Sequence, residues 1–313
     1  MLTPKARGRL SAAVVETLTA GKTDVAAVDP ESPEDAAIAL WSLYELHYRG
    51  FDDVDDAMEW HPALLGVRHE LEQDLEATLR SRYTPHAYEG DLAEALFTYV
   101  AEHDGPSIAR HVQTGADEQQ VLDLVRLRSV YHLKEADPTS WVVPRLPAAP
   151  KAALVELQFD EYGGGDPNKL HHHLWALSMD DLGLRAEYGA YVDDAPLEIL
   201  EQNNAMSLFG LHRRLRGAAM GHLAAFEATS SMPSRRMVQG LERLGLSDQL
   251  VRYYAEHVEA DAVHEQLAAR MICGALVAEE PALADDVFFG AFSCLDLEDR
   301  FARMLLDQWG VAA

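Results

Sequence analysis

Apolar residues recur at steps of three and four along most of this chain, and that spacing is typical of one face of an α-helix. No convincing pair of segments alternates apolar and polar residues, as paired β-strands would. The helical spacing covers ten segments, which are residues 34–49, 63–81, 91–103, 118–135, 150–162, 167–181, 196–228, 234–244, 247–278 and 285–308. The pattern therefore predicts an all-α fold.

Prolines and glycines separate these segments. Four prolines lie between Ala136 and Pro150. Because proline fixes the backbone, we expect this stretch to be a stiff connector between the helix that carries Glu135 and the helix that carries Glu161.

The domain organisation is less sharply marked. The first 30 residues look loosely structured, and residues 31 to about 85 form either an accessory helical layer or the opening of the main domain. A chain of 313 residues, 48% of them hydrophobic, can bury a substantial core. We predict an N-terminal helical region, residues 1–85, followed by a main domain, residues 86–313.

The charge balance narrows the choice of partners. The chain has 26 Lys and Arg residues against 52 Asp and Glu residues, a formal net charge of −26. Such a surface repels phosphate backbones and anionic headgroups, which argues against nucleic acid and membranes as partners.

Two cysteines, Cys273 and Cys294, are too few for a disulfide framework and are expected to be reduced and buried. With no apolar stretch typical of a signal or a membrane span, we expect a cytoplasmic location.

The strongest local motif is His257-x3-Asp261-x2-His264. The spacing puts two imidazoles and a carboxylate on one face of a helix, from which they could bind a metal together. A buried set of this kind is costly unless a cation or hydrogen bonds compensate it. The helix carries further carboxylates, so the sequence leaves two readings open, a metal site and a solvated polar stripe.

A second motif is Glu161 followed by Tyr162, three glycines and Asp166-Pro167. The glycines end one helix, and Asp166-Pro167 resembles the cap and first turn of the next, so that Glu161 and His171 face one point across the break. A phosphate-binding loop is disfavoured, because no strand precedes the glycines and no Gly-Lys-Ser/Thr follows them. His171 is the candidate ligand on spacing. Its two neighbours, His172 and His173, are read as surface or supporting residues.

Glu135 stands at the end of a helix just before Asp137-Pro138. Alone it would be read as an exposed helix-terminal acid. His132, three residues earlier, can be a further ligand or a hydrogen-bond donor to the site. His222 and Glu227 are weaker candidates, read as core or hydrogen-bonding residues. No Ser/His/Asp or Cys/His arrangement stands out, which argues against hydrolysis by an amino-acid nucleophile.

These motifs resemble those of the heme-oxygenase-like diiron oxidases, in the same order and with similar spacing. The resemblance is carried by residues 133–138, by residues 161–165 with His171, and by the motif at residues 257–264, and it runs from about residue 118 to 270. It implies a heme-oxygenase-like helical bundle that holds two iron ions. The ligands, and hence the catalytic residues, that it implies are Glu135, Glu161, His171, His257, Asp261 and His264.

The resemblance also implies an activity. Similar proteins activate O2 at two reduced irons and oxidise small organic molecules, by N-oxygenation, oxidative cleavage or decarboxylation. We therefore expect an O2-dependent diiron oxidoreductase acting on a small-molecule substrate, with amines and amino acids as candidates. An electron donor can be needed, and a homodimer is expected because similar proteins commonly dimerise. Carboxylates with imidazoles suit such irons, or manganese, in a bundle core.

Two rival functions follow from the same residues. A non-catalytic helical protein could use the cluster to store iron or to bind a partner, and it would bind iron without consuming O2 or an organic compound. A heme-binding oxygenase needs one proximal histidine and tolerates loss of the carboxylates. A Soret band on addition of heme would distinguish it.

The ligand set gives a first prediction. Asp261→Ala or His264→Ala should abolish binding of one iron with little loss of helix content, because the empty site costs stability. Iron stoichiometry and circular dichroism of each variant measure this. A variant that retains two irons per chain would remove its residue from the ligand set.

Overall fold

A computed structural model of the chain describes residues 1–25 and 27–311, of which residues 259–262 are described without their side chains. Within these ranges the chain is helical and contains no β-strand, so the predicted all-α class is confirmed. The α-helices are α1 Arg9–Ala20, α2 Pro33–Glu45, α3 Pro62–Arg82, α4 Leu92–Ala101, α5 Ile108–Thr114, α6 Glu118–His132, α7 Asp137–Ser140, α8 Ala148–Glu161, α9 His171–Asp181, α10 Leu197–Leu211, α11 Arg216–Ala228, α12 Ser231–Leu244, α13 Asp248–Gln266, α14 Ala275–Glu279 and α15 Ala284–Gln308. A π-helix, Leu267–Gly274, joins α13 to α14. Short 3-10 segments lie at Asp56–Trp60, Val143–Arg145, Gly163–Gly165, Val192–Asp194, Arg213–Leu215 and Pro281–Leu283.

The expectation that the first 30 residues are loosely structured is wrong for residues 9–20, because α1 is a regular helix packed on α2. Leu10, Val14 and Leu18 are buried at four-residue spacing, which places one apolar stripe against the core. The carboxylate of Asp35 accepts hydrogen bonds from the backbone N–H of Leu10 at 3.1 Å and of Ser11 at 2.8 Å. The apolar stripe is short and flanked by small residues, so its helical spacing is hard to detect in the sequence.

The predicted helix over residues 196–228 is interrupted at His212, which has an extended backbone. The sequence offers Gly210 two residues earlier, but a single glycine does not by itself end a helix. The break is stabilised by tertiary contacts instead: the carbonyl of Gly210 accepts a hydrogen bond from Arg145, and the His212 ring lies 2.9 Å from the carboxylate of Glu72. The interruption separates α10 from α11, so α11 can turn towards the site.

The predicted helix over residues 247–278 is continuous but changes its winding. A π-helix has one more residue in each hydrogen-bonded turn than an α-helix, and such segments are frequent at functional sites. Here it starts three residues after His264. It buries Ala268, Ala269, Ile272 and Cys273 against α8 and α11.

Buried apolar residues form two clusters. The first joins residues of α1 and α2 to α6, α9, α10 and α13, and includes Trp41 and Trp175. The second lies between α4, α8, α11, the π-helix and α15. The division at residue 85 stays a prediction, although the N-terminal helices share a core cluster with helices that carry candidate ligands.

Two smaller predictions can be compared with the structure directly. Cys273 and Cys294 are both free and buried, which confirms the expectation that they form no disulfide. Among the helices in the described part of the chain, none is both long and apolar enough to cross a membrane.

The packing of α11 against α15 gives a stability prediction. A Cβ at Gly221 on α11 would lie 1.8 Å from the carbonyl oxygen of Val287 on α15. Gly221→Ala should therefore force the two helices apart and cost about 3 kcal/mol in the free energy of unfolding. Gly66 on α3 is exposed with nothing within 4 Å of its Cβ position, so Gly66→Ala should stabilise by about 0.5–1 kcal/mol. Urea unfolding of both variants measures the difference, and equal effects would contradict the proposed close packing.

Candidate metal centre

Two groups of acidic and imidazole side chains lie side by side where α8, α9, α11 and α13 meet the end of α6. Within each group the candidate ligand atoms lie within 4.8 Å of one another. The first group is Glu135, His171 and His257, and the second is Glu161, Glu227 and His264. The Nδ1 atom of His171 lies 3.0 Å from Oε2 of Glu161, so the two groups adjoin.

Glu135 is brought inward by the turn that follows α6. The backbone of Ala136 is left-handed, with φ 72°, which redirects the chain immediately after Glu135. On the other side of the turn, buried Lys134 pairs with the carboxylate of Glu45 at 3.4 Å. Glu135 is consequently 4% exposed, whereas an ordinary helix-terminal acid would face solvent. The hydroxyl of Tyr253 donates a hydrogen bond to its Oε2 at 2.7 Å.

The glycine run reverses the chain between Glu161 and His171. Gly163, Gly164 and Gly165 have φ values of 67°, 64° and 84°, which favour glycine. A Cβ at Gly163 would lie 2.6 Å from the carbonyl carbon of Lys169, so the two arms of the reversal touch here. Glu161 is the last residue of α8 and His171 the first of α9.

The expected cap of α9 is wrong. The helix begins at His171 with Leu170 at its N-cap, four residues beyond Pro167. Asp166 instead closes a local turn, because its Oδ1 accepts a hydrogen bond from the N–H of Asn168 at 3.0 Å.

His257 and His264 lie in different groups, although both are on α13. Seven residues of helix separate them by about 10 Å along the axis. The motif therefore contributes one histidine to each group of described candidate ligands. Asp261, the third member of that motif, lies outside the described residues.

Hydrogen bonds orient both rings. Nδ1 of His257 donates to the carbonyl of Tyr253 at 2.7 Å, so its Nε2 is the free acceptor and lies 3.9 Å from Oε1 of Glu135. Nε2 of His264 lies 3.3 Å from Oδ2 of Asp160. Its Nδ1 lies 3.6 Å from both Glu161 and Glu227. This arrangement, in which one ring nitrogen is held and the other faces a ligand cluster, is typical of metal-binding histidines.

Two residues of the site were undervalued in the sequence. Glu227 belongs to the second group, yet it was read as a core or hydrogen-bonding residue. In the sequence, Glu227 is distinguished only as a single acid that follows a run of small and apolar residues, Gly217 to Phe226, which one histidine interrupts. Asp160 had no signal beyond its position next to Glu161.

Other histidine candidates lie outside both groups. His132 stacks on Trp175 at 4.1 Å between ring centroids, and its Nδ1 donates to the carbonyl of Arg128 at 3.0 Å. His172 and His173 follow His171 on α9 without joining either group, and partly buried His222 packs against Phe209.

The donor set fits iron. Two imidazoles with one carboxylate are typical of non-heme Fe(II), and carboxylate-rich pairs are typical of diiron proteins. Nε2 of His257 and Nδ1 of His264 are buried without a hydrogen-bond partner among the described residues. A buried nitrogen of this kind is costly unless a cation or a donor satisfies it.

The charges in the site also favour a bound cation. Burial, followed by repulsion from Glu161, raises the pKa of Glu135 to about 8. Burial raises the pKa of Glu227 as well. Burial lowers the pKa of His257 to about 4, whereas for His264 the pull of Glu227 outweighs burial and raises the pKa to about 9. These buried carboxyl groups are hard to ionise, and the His264 imidazole keeps its proton beside them. Metal ions that replace the protons would balance the negative charge of the carboxylates and remove this cost.

A cavity of about 640 Å³ opens beside the first group. Glu135 and His257 form part of its wall, next to apolar side chains such as Tyr131, Met206 and Phe226. Cavities of this size and character hold small organic ligands.

The family assignment agrees with this geometry. A family model described as "Iron-containing redox enzyme" matches residues 122–299, more than half of the chain. The chain therefore belongs to the family of iron-containing redox enzymes, and it is an iron-dependent oxidoreductase with the heme-oxygenase-like all-α fold. The comparison with curated proteins found no match.

The pKa shifts give a pH prediction for the metal-free chain. The folded-state pKa of Glu135, about 8, exceeds its ordinary 4.5, and that of His264, about 9, exceeds its ordinary 6.5. In both cases the folded state binds more protons, so the free energy of unfolding should fall as pH rises from 6.5 to about 9. His257, with a pKa of about 4, adds no slope above 6.5.

Urea unfolding in the presence of a chelator, at the two ends of this interval, measures the slope. The double variant Glu135→Gln, His264→Gln is the control and should show a flatter dependence. A slope that the double variant leaves unchanged would show that other groups produce it.

Proposed function

We propose that this protein is a non-heme diiron oxidase or oxygenase that uses O2 to oxidise a small organic substrate. The observation that carries the proposal is the adjacency of two carboxylate–imidazole groups beside a cavity. Glu135, His171 and His257 would hold one iron. Glu161, Glu227 and His264 would hold the other, and Asp261 stays a further ligand candidate from the sequence.

Two adjacent iron sites suit this reaction better than one. Bound iron supplies the electrons that O2 reduction needs. The 3.0 Å contact between His171 and Glu161 joins the groups, so both sites would face the same reactants. The carboxylates are hard anionic ligands that favour oxidised iron, and the imidazoles add affinity without excess negative charge.

The surrounding side chains fix the ligands and exclude water. Tyr253 acts on two of them, because its hydroxyl donates to Glu135 and its carbonyl accepts from His257. Asp160 holds the ring of His264 from the opposite side. Aromatic residues Trp175 and Tyr254 pack around Tyr253 and keep this face of the site dry. A substrate in the cavity would meet the first group, because Glu135 and His257 form part of the cavity wall.

Anaerobic titration of the metal-free chain with Fe(II) tests the proposal. We expect two irons per chain, and rapid consumption of O2 with a transient visible absorption after mixing. Glu161→Gln should reduce the stoichiometry to one iron or fewer, because it removes a ligand of the second group. Glu156→Gln is the matched control, since Glu156 is an exposed acid on the same helix and should leave both irons in place.

The outcomes separate the rival functions. Two irons without O2 consumption, in the presence or absence of candidate amines and acids, would favour iron storage. A Soret band after heme addition to the wild-type chain would favour a heme enzyme. The homodimer and an electron donor, both expected from the resemblance, stay predictions.

A further inference from the structure

The carboxylate of Glu45 is buried where the N-terminal helices meet the turn that carries Glu135. Glu45 is the last residue of α2 and is 0% exposed. Its Oε2 accepts a hydrogen bond from the hydroxyl of Tyr188 at 2.9 Å and lies 3.4 Å from Nζ of Lys134. Its Oε1 accepts from the backbone N–H of Arg49 at 3.3 Å. A buried carboxylate with both oxygens bound is fixed in position, and it fixes its partners in turn.

The ammonium group of Lys134 depends on this carboxylate. Lys134 is 1% exposed. Its Nζ lies 4.4 Å from the ring centroid of Tyr48 and 5.5 Å from that of Trp41. Aromatic faces attract a cation, but they do not replace a counter-ion in a buried site. Among the ion pairs of the described residues, Lys134 takes part in one, with Glu45. Without that carboxylate the ammonium would be drawn towards water.

Lys134 and Glu135 are neighbours in the turn that follows α6. Their Cα atoms are about 3.8 Å apart across one peptide bond. Their side chains face opposite sides, that of Lys134 towards α2 and that of Glu135 towards the metal centre. The N–H of Lys134 donates to the carbonyl of Tyr131 at 2.8 Å, and the N–H of Asp137 donates to the carbonyl of Lys134 at 3.1 Å. A shift of Lys134 therefore moves the backbone from which the Glu135 carboxylate projects.

The other side of the turn is held by α8 and its C-cap residue. Nε2 of Gln158 donates to the carbonyl of Ala136 at 3.0 Å, and the hydroxyl of Tyr162 donates to Asp137 at 2.9 Å. These contacts lie within residues 122–299, which the family model matches, whereas Glu45 lies outside them. The N-terminal helices therefore supply the support on the α2 side of the turn.

We propose that Glu45 is a positioning residue of the metal centre, which holds Glu135 in the first group through its buried pair with Lys134. This inference rests on the proposed function, because it takes Glu135 as an iron ligand. Glu45 does not line the cavity, and its effect on Glu135 passes through Lys134 and the turn. Replacement of a side chain that supports a metal ligand typically weakens metal binding by about 10- to 100-fold.

Anaerobic titration of the metal-free chain with Fe(II) tests this inference. In Glu45→Gln, one of the two irons should bind about 10- to 100-fold more weakly and the other as in the wild type. Glu45→Asp keeps the charge and shortens the side chain by one methylene. It should weaken the same iron by a smaller factor, and it gives a folded variant to test if the unpaired Lys134 prevents Glu45→Gln from folding.

A double-variant cycle identifies the affected iron. Glu135→Gln removes a ligand of the first group, so that group should lose its iron. In this background Glu45→Gln should leave the affinity of the remaining iron unchanged, because the side chain through which Glu45 acts is no longer a ligand. A further weakening of the remaining iron would show a general loss of structure and would overturn the positioning role.

Asp35→Asn is the matched control. Asp35 is likewise an acid on α2 with 0% exposure, but it binds the backbone of α1 instead of Lys134. This variant should lower the free energy of unfolding and leave both irons in place. Wild-type iron affinities in Glu45→Gln and Glu45→Asp, or an equal loss of iron in Asp35→Asn, would overturn the proposal.

Hydrogen exchange of the metal-free chain gives a second readout that needs no iron. The amide protons of residues 133–137 should exchange faster in Glu45→Gln than in the wild type, and Asp35→Asn should leave them unchanged. A wild-type chain that binds no iron would remove the proposed function and, with it, any role of Glu45 at an iron site. Two irons in the wild type, with unchanged iron affinity and exchange in Glu45→Gln, would remove the role of Glu45 alone and leave the diiron oxidase in place.

Discussion

The site depends on the cost of burying several like-charged groups in one place. Glu135, Glu161 and Glu227 are drawn together by elements that are far apart in sequence, and their mutual repulsion opposes that assembly. In the low dielectric of the interior this repulsion is strong. Imidazoles offset part of it, as the 3.0 Å contact between His171 and Glu161 shows. Metal cations would offset the rest, which links the structure of the bundle directly to its chemistry.

The scaffold holds these groups by means that are independent of metal. The Lys134–Glu45 pair is buried between α2 and the turn after α6, so the N-terminal helices help to fix the position of Glu135. The glycine run between α8 and α9 fixes the distance from Glu161 to His171. The near contact of Gly221 with Val287 lets α11 approach α15 closely and so places Glu227. Rigid packing at these points limits how far the ligands can separate in response to their repulsion.

Much of this architecture could be predicted from the sequence, because helical periodicity and helix ends are local properties. The long segments were placed within a few residues, and Cys273 and Cys294 were correctly expected to be free. Errors occurred where distant contacts decide local structure. The helix is interrupted at His212, where the sequence offers only a lone glycine, Gly210, because Arg145 and Glu72 stabilise the interruption. Glu227 was undervalued because a single buried acid in a helix shows its partners only after the chain has folded.

The sequence by itself determined the helical class, the reversal at Gly163–Gly165 and the presence of acidic and imidazole side chains on successive helices, since each of these depends on residues close together in the chain. Only the tertiary structure decided how those side chains are grouped. It assigned His257 and His264 to different groups, added Glu227 to the second, and formed a cavity whose wall includes Glu135 and His257. The physical reason is that the spacing along one helix fixes the face of a side chain, whereas its partners depend on how several helices pack.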